Sequence, residues 1–130
     1  MQPVDIRAAP HIQLGMLGEE AALARYRAAG YRLVARNWRC RIGELDLVLA
    51  RDGVLVFCEV KCRRGSAFGG PYEAVNMSKQ RKLRSVAEAF LGQAFPPRGG
   101  AGPARVRFDV ASVTVDRSGR AAVHLFEDAF

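Results

Sequence analysis

Two acidic residues, Asp46 and Glu59, interrupt neighbouring apolar segments and are the strongest candidates for a reactive site. The segments Ile42–Ala50 and Val54–Cys62 are rich in β-branched and apolar residues, which is typical of strands. They are separated by Arg51-Asp52-Gly53, and an Asp-Gly pair between two such segments predicts a tight hairpin turn. We therefore expect the strands to pair and to bring Asp46 close to Glu59.

Side chains alternate along a strand, and this alternation assigns the charged groups to faces. In the first strand Glu44 and Asp46 point away from the face that carries Leu45, Leu47 and Leu49. In the second strand Glu59 and Lys61 are one strand period apart, on the face that carries Leu55 and Phe57. The acids and Lys61 are therefore expected to share one site.

The chemistry of such a group follows from charge. Two carboxylates on an apolar sheet repel each other unless one is protonated or a cation lies between them. Hard oxygen ligands with room for water and a substrate phosphate suit Mg²⁺, or Mn²⁺, better than a thiophilic ion. Lys61 is placed to position or activate a water, or to stabilise charge on phosphorus, as in metal-assisted phosphodiester cleavage. The pattern predicts a nuclease.

Simpler explanations stand beside this one. Glu59 and Lys61 also fit a structural ion pair, and the in-facing Asp46 is what favours catalysis over it. Glu44 is either a further metal ligand or a solvent-facing residue near the hairpin edge. Of 20 basic residues only Lys61, Lys79 and Lys82 are lysines, and lysine can lose its proton on burial whereas arginine cannot.

The surrounding pattern predicts the elements that hold this site. Residues Met1–Leu14 show no helical or strand period, which predicts a flexible amino-terminal tail. Residues 15–130 are expected to form a single domain. An amphipathic helix is expected over Gly15–Ala29, with Glu19 and Glu20 in its first turns, and a second helix after Ser78 as N-cap. Further strands are expected at Tyr31–Arg36, Arg105–Val115 and Ala121–Phe126, and a functional loop at Arg63–Met77. The expected fold class is α/β, with a mixed central sheet in the order α-β-β-β-α-β-β.

The charge balance indicates a polyanionic partner. The 130 residues carry a formal net charge of +7, and such an excess favours nucleic acid. Arginines flank the candidate site and, with Trp38 and Tyr72 available for stacking, would suit a path for phosphates; they are Arg36, Arg39, Arg41, Arg63 and Arg64. An ordinary solvated basic surface is the alternative. No helix-turn-helix, zinc finger or RNP-like element appears, so shape recognition is expected.

Several classes are disfavoured. No apolar segment approaches the ~20 residues needed to cross a bilayer, and the start of the chain lacks a secretory signal, so a cytoplasmic protein is expected. Cys40, Cys58 and Cys62 are then reduced thiols. Cys58 and Cys62 are ~13 Å apart on one strand, too far to share a zinc ion. His11 and His124 have no matching partner and are expected at the surface or at an edge.

Two motifs carry a family resemblance. Gly43-Glu44-Leu45-Asp46-Leu47-Val48 and Phe57-Cys58-Glu59-Val60-Lys61-Cys62-Arg63 resemble the YraN family, bacterial proteins with a restriction-endonuclease-like PD-(D/E)xK fold, similar to archaeal Holliday-junction resolvases. The resemblance spans nearly the whole chain. It includes Gly18-Glu19 opening the first helix, Gly30-Tyr31, Arg36-Asn37-Trp38, Phe68-Gly69, Lys79-Gln80, Arg107-Phe108-Asp109-Val110 and Ala129-Phe130.

The resemblance implies roles for individual residues. Asp46 and Glu59 would bind the metal together with the backbone carbonyl of Val60, and Lys61 would be the lysine of the E-x-K element. Glu19 would support the metal site from the first helix, and Lys79 would be a basic residue at the start of the second helix. A homodimer is also implied.

The leading hypothesis is a Mg²⁺-dependent endonuclease that acts on structured or branched DNA. A nucleic-acid binding module of the same fold without catalysis is the alternative, and a protein that binds structured RNA is a third reading.

Overall fold

A five-stranded mixed sheet with one helix on each face forms the protein. The computed structural model describes the backbone of residues 10–65, 75–97 and 99–130, with side chains from residue 13 onward. In chain order the elements are α1 (Pro10–Ala28), β1 (Arg32–Arg39), β2 (Glu44–Arg51), β3 (Val54–Arg64), α2 (Met77–Ala94), β4 (Arg105–Val115) and β5 (Ala121–Phe126). The predicted α/β class and element order are confirmed.

The strands lie side by side in their sequence order. Strands β3 and β4 are parallel, with α2 in the connection between them, and the other neighbours are antiparallel. The β2–β3 hairpin turns at Asp52 and Gly53, whose φ angles of 49° and 78° are those that a two-residue turn requires. The predicted hairpin is therefore confirmed, as are the bounds of β4 and β5.

The start of α1 differs from its prediction. The helix begins at Pro10, five residues before Gly15, so the expected tail is helical over Pro10–Leu14; residues 1–9 lie outside the described residues. The segment Pro10–Leu14 lacks a helical period, but the fixed φ of a proline suits the first turn of a helix. The earlier start places Glu19 and Glu20 away from the first turn, which contains no acid.

The start of α2 also differs by a small shift. The N-cap is Asn76 rather than Ser78, because the Asn76 side chain accepts a hydrogen bond from the backbone N–H of Lys79 at 2.9 Å. The predicted second helix is confirmed, and it buries Leu83, Val86, Ala87 and Phe90 on one face. Of the predicted loop, Arg63 and Arg64 belong to β3, and residues 66–74, with Phe68, Gly69 and Tyr72, lie outside the described residues.

Two cores lie on opposite faces of the sheet. Helix α1 packs with Tyr26 on the face that carries Leu47, Val56 and Val113, and α2 packs with Phe90 on the other face. The fully buried Asp109 joins α1 to β4, since it accepts from the Tyr26 hydroxyl at 2.7 Å and from two nitrogens of Arg107 at 2.9 Å each. Full hydrogen bonding of this kind is what makes a buried carboxylate tolerable.

Strand β2 does not keep a simple alternation. Leu47 and Leu49 pack in the α1-side core, but Leu45 packs in the α2-side core, so the prediction that the leucines share a face is wrong for Leu45. On the adjacent β1, Asn37 has a φ of 52° and lies between Arg36, which is opposite Leu47, and Trp38, which is opposite Leu45. A sequence period of two cannot report such a reversal.

Gly18 sets how closely α1 approaches β3. A Cβ at this position would lie 2.6 Å from the Cβ of Cys62 and 3.0 Å from its Sγ. These distances are too short for atoms that are not bonded. Only glycine therefore allows α1, which carries Glu19, to lie this close to the strand that carries Glu59 and Lys61.

We predict that Gly18→Ala destabilises the protein by about 1–3 kcal/mol, because the added methyl group overpacks the helix–strand contact. Urea unfolding measures the difference. The matched control is Gly15→Ala in the same helix, where a Cβ meets nothing within 4 Å; it should be neutral or stabilise by up to about 1 kcal/mol through helix propensity. Equal effects of both substitutions would show that the close approach does not constrain the helix.

Candidate active site

The candidate site lies where β2 and β3 separate. Their pairing includes Leu47 opposite Cys58 and does not continue to Asp46. The N–H of Val60 donates instead to the Asp46 carboxylate at 2.9 Å. The side chain of Asp46 thus takes a backbone hydrogen bond of β3, and this fixes its carboxylate between the strands.

Glu59 lies beside Asp46, as predicted. Its side chain is 12% exposed and its Oε1 lies 2.9 Å from Nζ of Lys79, at the start of α2. Burial and the nearby Glu59 carboxylate raise the pKa of Asp46 to about 7, although the hydrogen bond from Val60 opposes this change. The pair therefore holds a proton more readily than an isolated aspartate does.

Lys61 is half-buried one strand period beyond Glu59. Burial and the neighbouring Lys79 lower the pKa of the Lys61 ammonium, and Glu59 partly offsets them. A lysine near a second cation in this way is easier to deprotonate than a free one. Asp46, Glu59 and Lys61, which the sequence grouped together, are thus brought together by the fold.

Glu19 reaches the same place from α1. It lines a cavity of about 290 Å³ with Asp46, Val60 and Lys61. Its carboxylate accepts hydrogen bonds from Arg36 Nε and Asn37 Nδ2, both at 3.1 Å. The resemblance to the YraN family placed Glu19 at the site, and the structure adds that β1 holds its carboxylate in position.

A second cavity, of about 200 Å³, opens on the α2 side of Asp46. Its polar lining is Glu44, Asp46, Glu59, Lys79 and Lys82. Glu44 is also bound by Arg39, whose Nε lies 3.1 Å from Oε2. Asp46 lines both cavities, so groups on the two sides of the sheet meet at one carboxylate.

The flanking arginines do not form one row. Arg36 is bound to both Glu19 and Glu20 of α1, and Arg39 is bound to Glu44, whereas Arg41, Arg63 and Arg64 are exposed. Trp38 does not fit the expected stacking role, since its ring packs edge-on against Phe90 at 5.3 Å in the α2-side core.

Other candidates are outside the site. His124 is exposed on β5, and the side chain of His11 is outside the described part of the chain. The cysteines are free thiols. Among the described residues, no three His, Cys, Asp or Glu side chains are grouped to hold one ion. The neighbouring Asp46 and Glu59 carboxylates are the residues here that could hold a metal.

Some residues of the site escaped the sequence analysis. Lys82 lines the α2-side cavity beside Gly43, and Asn37 orients Glu19. Lys82 was detectable, because it follows Lys79 by three residues and so lies on the same side of a helix. Asn37 was not, since its role depends on a positive φ in the middle of a strand.

Fold and site together define a mixed α/β protein with an acidic pair and lysines at a separation between two central strands. Residues 18–113 match the family model described as "Uncharacterised protein family UPF0102". The chain belongs to this family, which is also called the YraN family. The resemblance seen in the sequence is therefore confirmed.

Relatives from several bacteria agree with this assignment. A UPF0102 protein of Symbiobacterium thermophilum is 45% identical over 118 residues, covering 91% of this chain and 96% of the relative. One from Rhodococcus jostii is 41% identical over 122 residues (94% and 99% covered), and one from Moorella thermoacetica is 43% identical over 117 residues (89% and 93%). Within the described residues, neither helix is both long and apolar enough to cross a membrane.

We predict that Asp46→Asn stabilises the metal-free protein above pH 7. The folded-state pKa of Asp46 is raised to about 7 from 3.8, so the folded chain binds the extra proton, and stability falls as pH rises between these values. A neutral amide avoids that loss and still accepts from Val60. We expect the free energy of unfolding to increase by about 2 kcal/mol at pH 8. This is less than ~1.4 kcal/mol for every unit by which the pKa is raised, because Glu59 shares the proton.

Urea unfolding in EDTA at pH 4 and pH 8 tests this prediction, with Asp52→Asn in the exposed hairpin turn as the control. The control should show no such pH-dependent gain. A gain for Asp46→Asn that is the same at both pH values would contradict the electrostatic cause.

Proposed function

We propose that this protein is a metal-dependent endonuclease of the restriction-endonuclease-like fold that hydrolyses phosphodiester bonds in structured or branched DNA. The observation that carries the proposal is the Asp46–Glu59 pair at the strand separation, with Lys61 on the same strand and Glu19 behind it. Placing two carboxylates together in a partly buried site costs stability. Two carboxylates that lower stability in this way suit a function that needs concentrated negative charge.

The donors present fit Mg²⁺ or Mn²⁺. Such an ion is usually held by one or two carboxylates together with waters and substrate phosphates, and Asp46 and Glu59 supply that set, with the Val60 carbonyl as the third protein donor. The pKa of Asp46 is raised by burial and by repulsion from Glu59, and a cation between the two carboxylates would relieve that repulsion. When bound, the ion would supply Lewis-acid stabilisation of the phosphoryl oxygens and a more acidic water.

The chain's own residues would divide the remaining work. Lys61, whose pKa is lowered, is suited to orient a water towards phosphorus or to accept its proton. Lys79 lies at the amino terminus of α2, with its Nζ 2.9 Å from Oε1 of Glu59, and is placed to neutralise charge on the phosphate. Glu19 is a positioning residue, since Arg36 and Asn37 hold it beside Asp46.

The start of α2 supports a nucleic-acid substrate. Its first turn contains no acid, and Lys79, Arg81 and Lys82 occupy its first turns. Cations at this end are disfavoured by the helix dipole and are stabilised by a bound anion, as Lys79 is by Glu59. A phosphate backbone would supply further negative charge to these basic residues at the positive end of the helix.

We predict metal-dependent cutting that requires the acidic pair. Labelled single strand, duplex, flap and four-way junction are incubated with Mg²⁺, Mn²⁺ or EDTA. Wild type should cut branched substrates only with metal, and Glu59→Ala or Lys61→Ala should reduce the rate by about 10²-fold or more, as expected for loss of a group that acts in the transition state.

Glu88→Ala, an exposed acid further along α2, serves as the control and should cut like wild type. Full cutting by Glu59→Ala would contradict the proposal. Binding without cutting under every metal would instead favour the binding module, and preference for RNA of equal length would favour the RNA reading.

We also predict that millimolar Mg²⁺ raises the melting temperature of the wild type, because an ion that binds only the folded state stabilises it by mass action. Asp46→Asn should lose most of this increase, and Asp52→Asn should keep it. Thermal unfolding with Mg²⁺ and with EDTA makes the comparison. An equal increase in both variants would place the ion elsewhere.

A further inference from the structure

The carboxyl-terminal part of β3 leaves a sheet face uncovered by α2. The amino terminus of α2 contacts Glu59 through Lys79, and its far end, at Phe95, shares a cavity with Leu55 and Ala50 near the hairpin turn. Helix α2 therefore runs antiparallel to β3 and away from Lys61. Among the residues that the structure describes, no helix lies over the sheet beyond Glu59 on this side.

Strands β3, β4 and β5 place six side chains on this uncovered side. Lys61 pairs with Ser112, which pairs with His124, and the next row along the strands is Arg63, Thr114 and Ala122. Their immediate neighbours Val60, Cys62, Val113 and Val123 pack in or against the α1-side core, so alternation directs the six to the opposite side. We call these six residues the β3–β5 face.

The composition of the β3–β5 face is unusual for its position. A parallel strand pair such as β3–β4 is generally covered on both faces and apolar on both. Here one side is buried, and the other carries only polar, basic or small residues, of which Arg63, Ala122 and His124 are exposed. Such a surface suits a hydrated, charged partner.

A basic rim borders the β3–β5 face at the turn between β4 and β5. Arg117 and Arg120 line a cavity of about 380 Å³ with Thr114, Ala122 and Gly65. Asp116 also lines it, but its carboxylate is used within the turn, where it accepts from Ser118 N at 2.9 Å, Ser118 Oγ at 2.6 Å and Arg120 N at 2.9 Å. Within the described part of the chain, the two guanidinium groups have no carboxylate partner.

We propose that the β3–β5 face binds the sugar–phosphate backbone of DNA next to the bond that is cut, with Arg117 and Arg120 contacting its phosphates. The location of the cut rests on the proposed function. Continuity supports the assignment, because Lys61 belongs both to the acidic site and to the β3–β5 face. From Lys61 to the rim the distance along β3 is roughly 13 Å, or about four phosphates of one strand along a duplex axis.

Charge reversal at the rim tests the proposal. Arg117→Glu/Arg120→Glu is compared with Arg27→Glu/Arg32→Glu, which changes two exposed arginines, one in the last turn of α1 and one at the start of β1, and alters the net charge equally. Binding of a labelled four-way junction and duplex is measured by fluorescence anisotropy in EDTA, so that no cutting occurs. Arg117→Gln/Arg120→Gln repeats the test with a smaller change, and circular dichroism verifies that each variant is folded.

The rim variant should bind at least about tenfold more weakly than the control variant, and the slope of log affinity against log salt should fall by about two, as expected for two lost phosphate contacts. Equal weakening in both double variants would overturn the proposal, because only the overall charge would then matter. Absence of DNA binding by the wild type would overturn it as well.

The same variants separate this inference from the proposed function. If wild type cuts DNA in Mg²⁺ and the rim and control variants bind equally, DNA binding by the β3–β5 face is refuted and the proposed nuclease activity is retained. If DNA binding depends on the rim arginines but no metal-dependent cutting occurs, the proposed nuclease activity is refuted and DNA binding by the β3–β5 face is retained.

Discussion

The separation of β2 from β3 at Asp46 is the constraint on which the candidate site depends. A strand pair that continued beyond Leu47 and Cys58 would bury its backbone groups in a ladder and leave no room for side chains between the strands. At the separation, the Asp46 carboxylate satisfies the Val60 N–H that the ladder no longer serves. One side chain thus meets a backbone requirement and brings negative charge into the sheet.

The two helices make this separation accessible from both faces. Gly18 lets α1 approach β3 closely enough for Glu19 to reach the Asp46 region, and α2 begins where Glu59 needs a cation. The buried Tyr26–Asp109–Arg107 contacts fix α1 to β4, so that Glu19 is carried by a helix anchored at a second point. Rigid support of this kind is what a site with several charged groups requires.

The sequence was sufficient for the elements and for the grouping of Asp46, Glu59 and Lys61, because a short turn and a period of two determine which strand residues meet. It failed where a local irregularity changes the direction of a side chain. Leu45 changes face next to the point where Asn37 of β1 has a positive φ, and no hydropathy pattern contains that angle. Arg36 and Trp38 were read as part of a nucleic-acid path, but charge and aromaticity alone do not distinguish a surface group from one used by Glu19 or Phe90.

The contact between Lys79 and Glu59 means that the site carries its own counterion. Any cation that takes the place of Lys79 at Glu59 sets that ammonium free at the positive end of α2. Occupation of the acidic pair and attraction for a phosphate are then linked by exchange of one charge for another. If a cation and a polyanion do bind here, each would favour the binding of the other, because both compete for the two partners of this single ion pair.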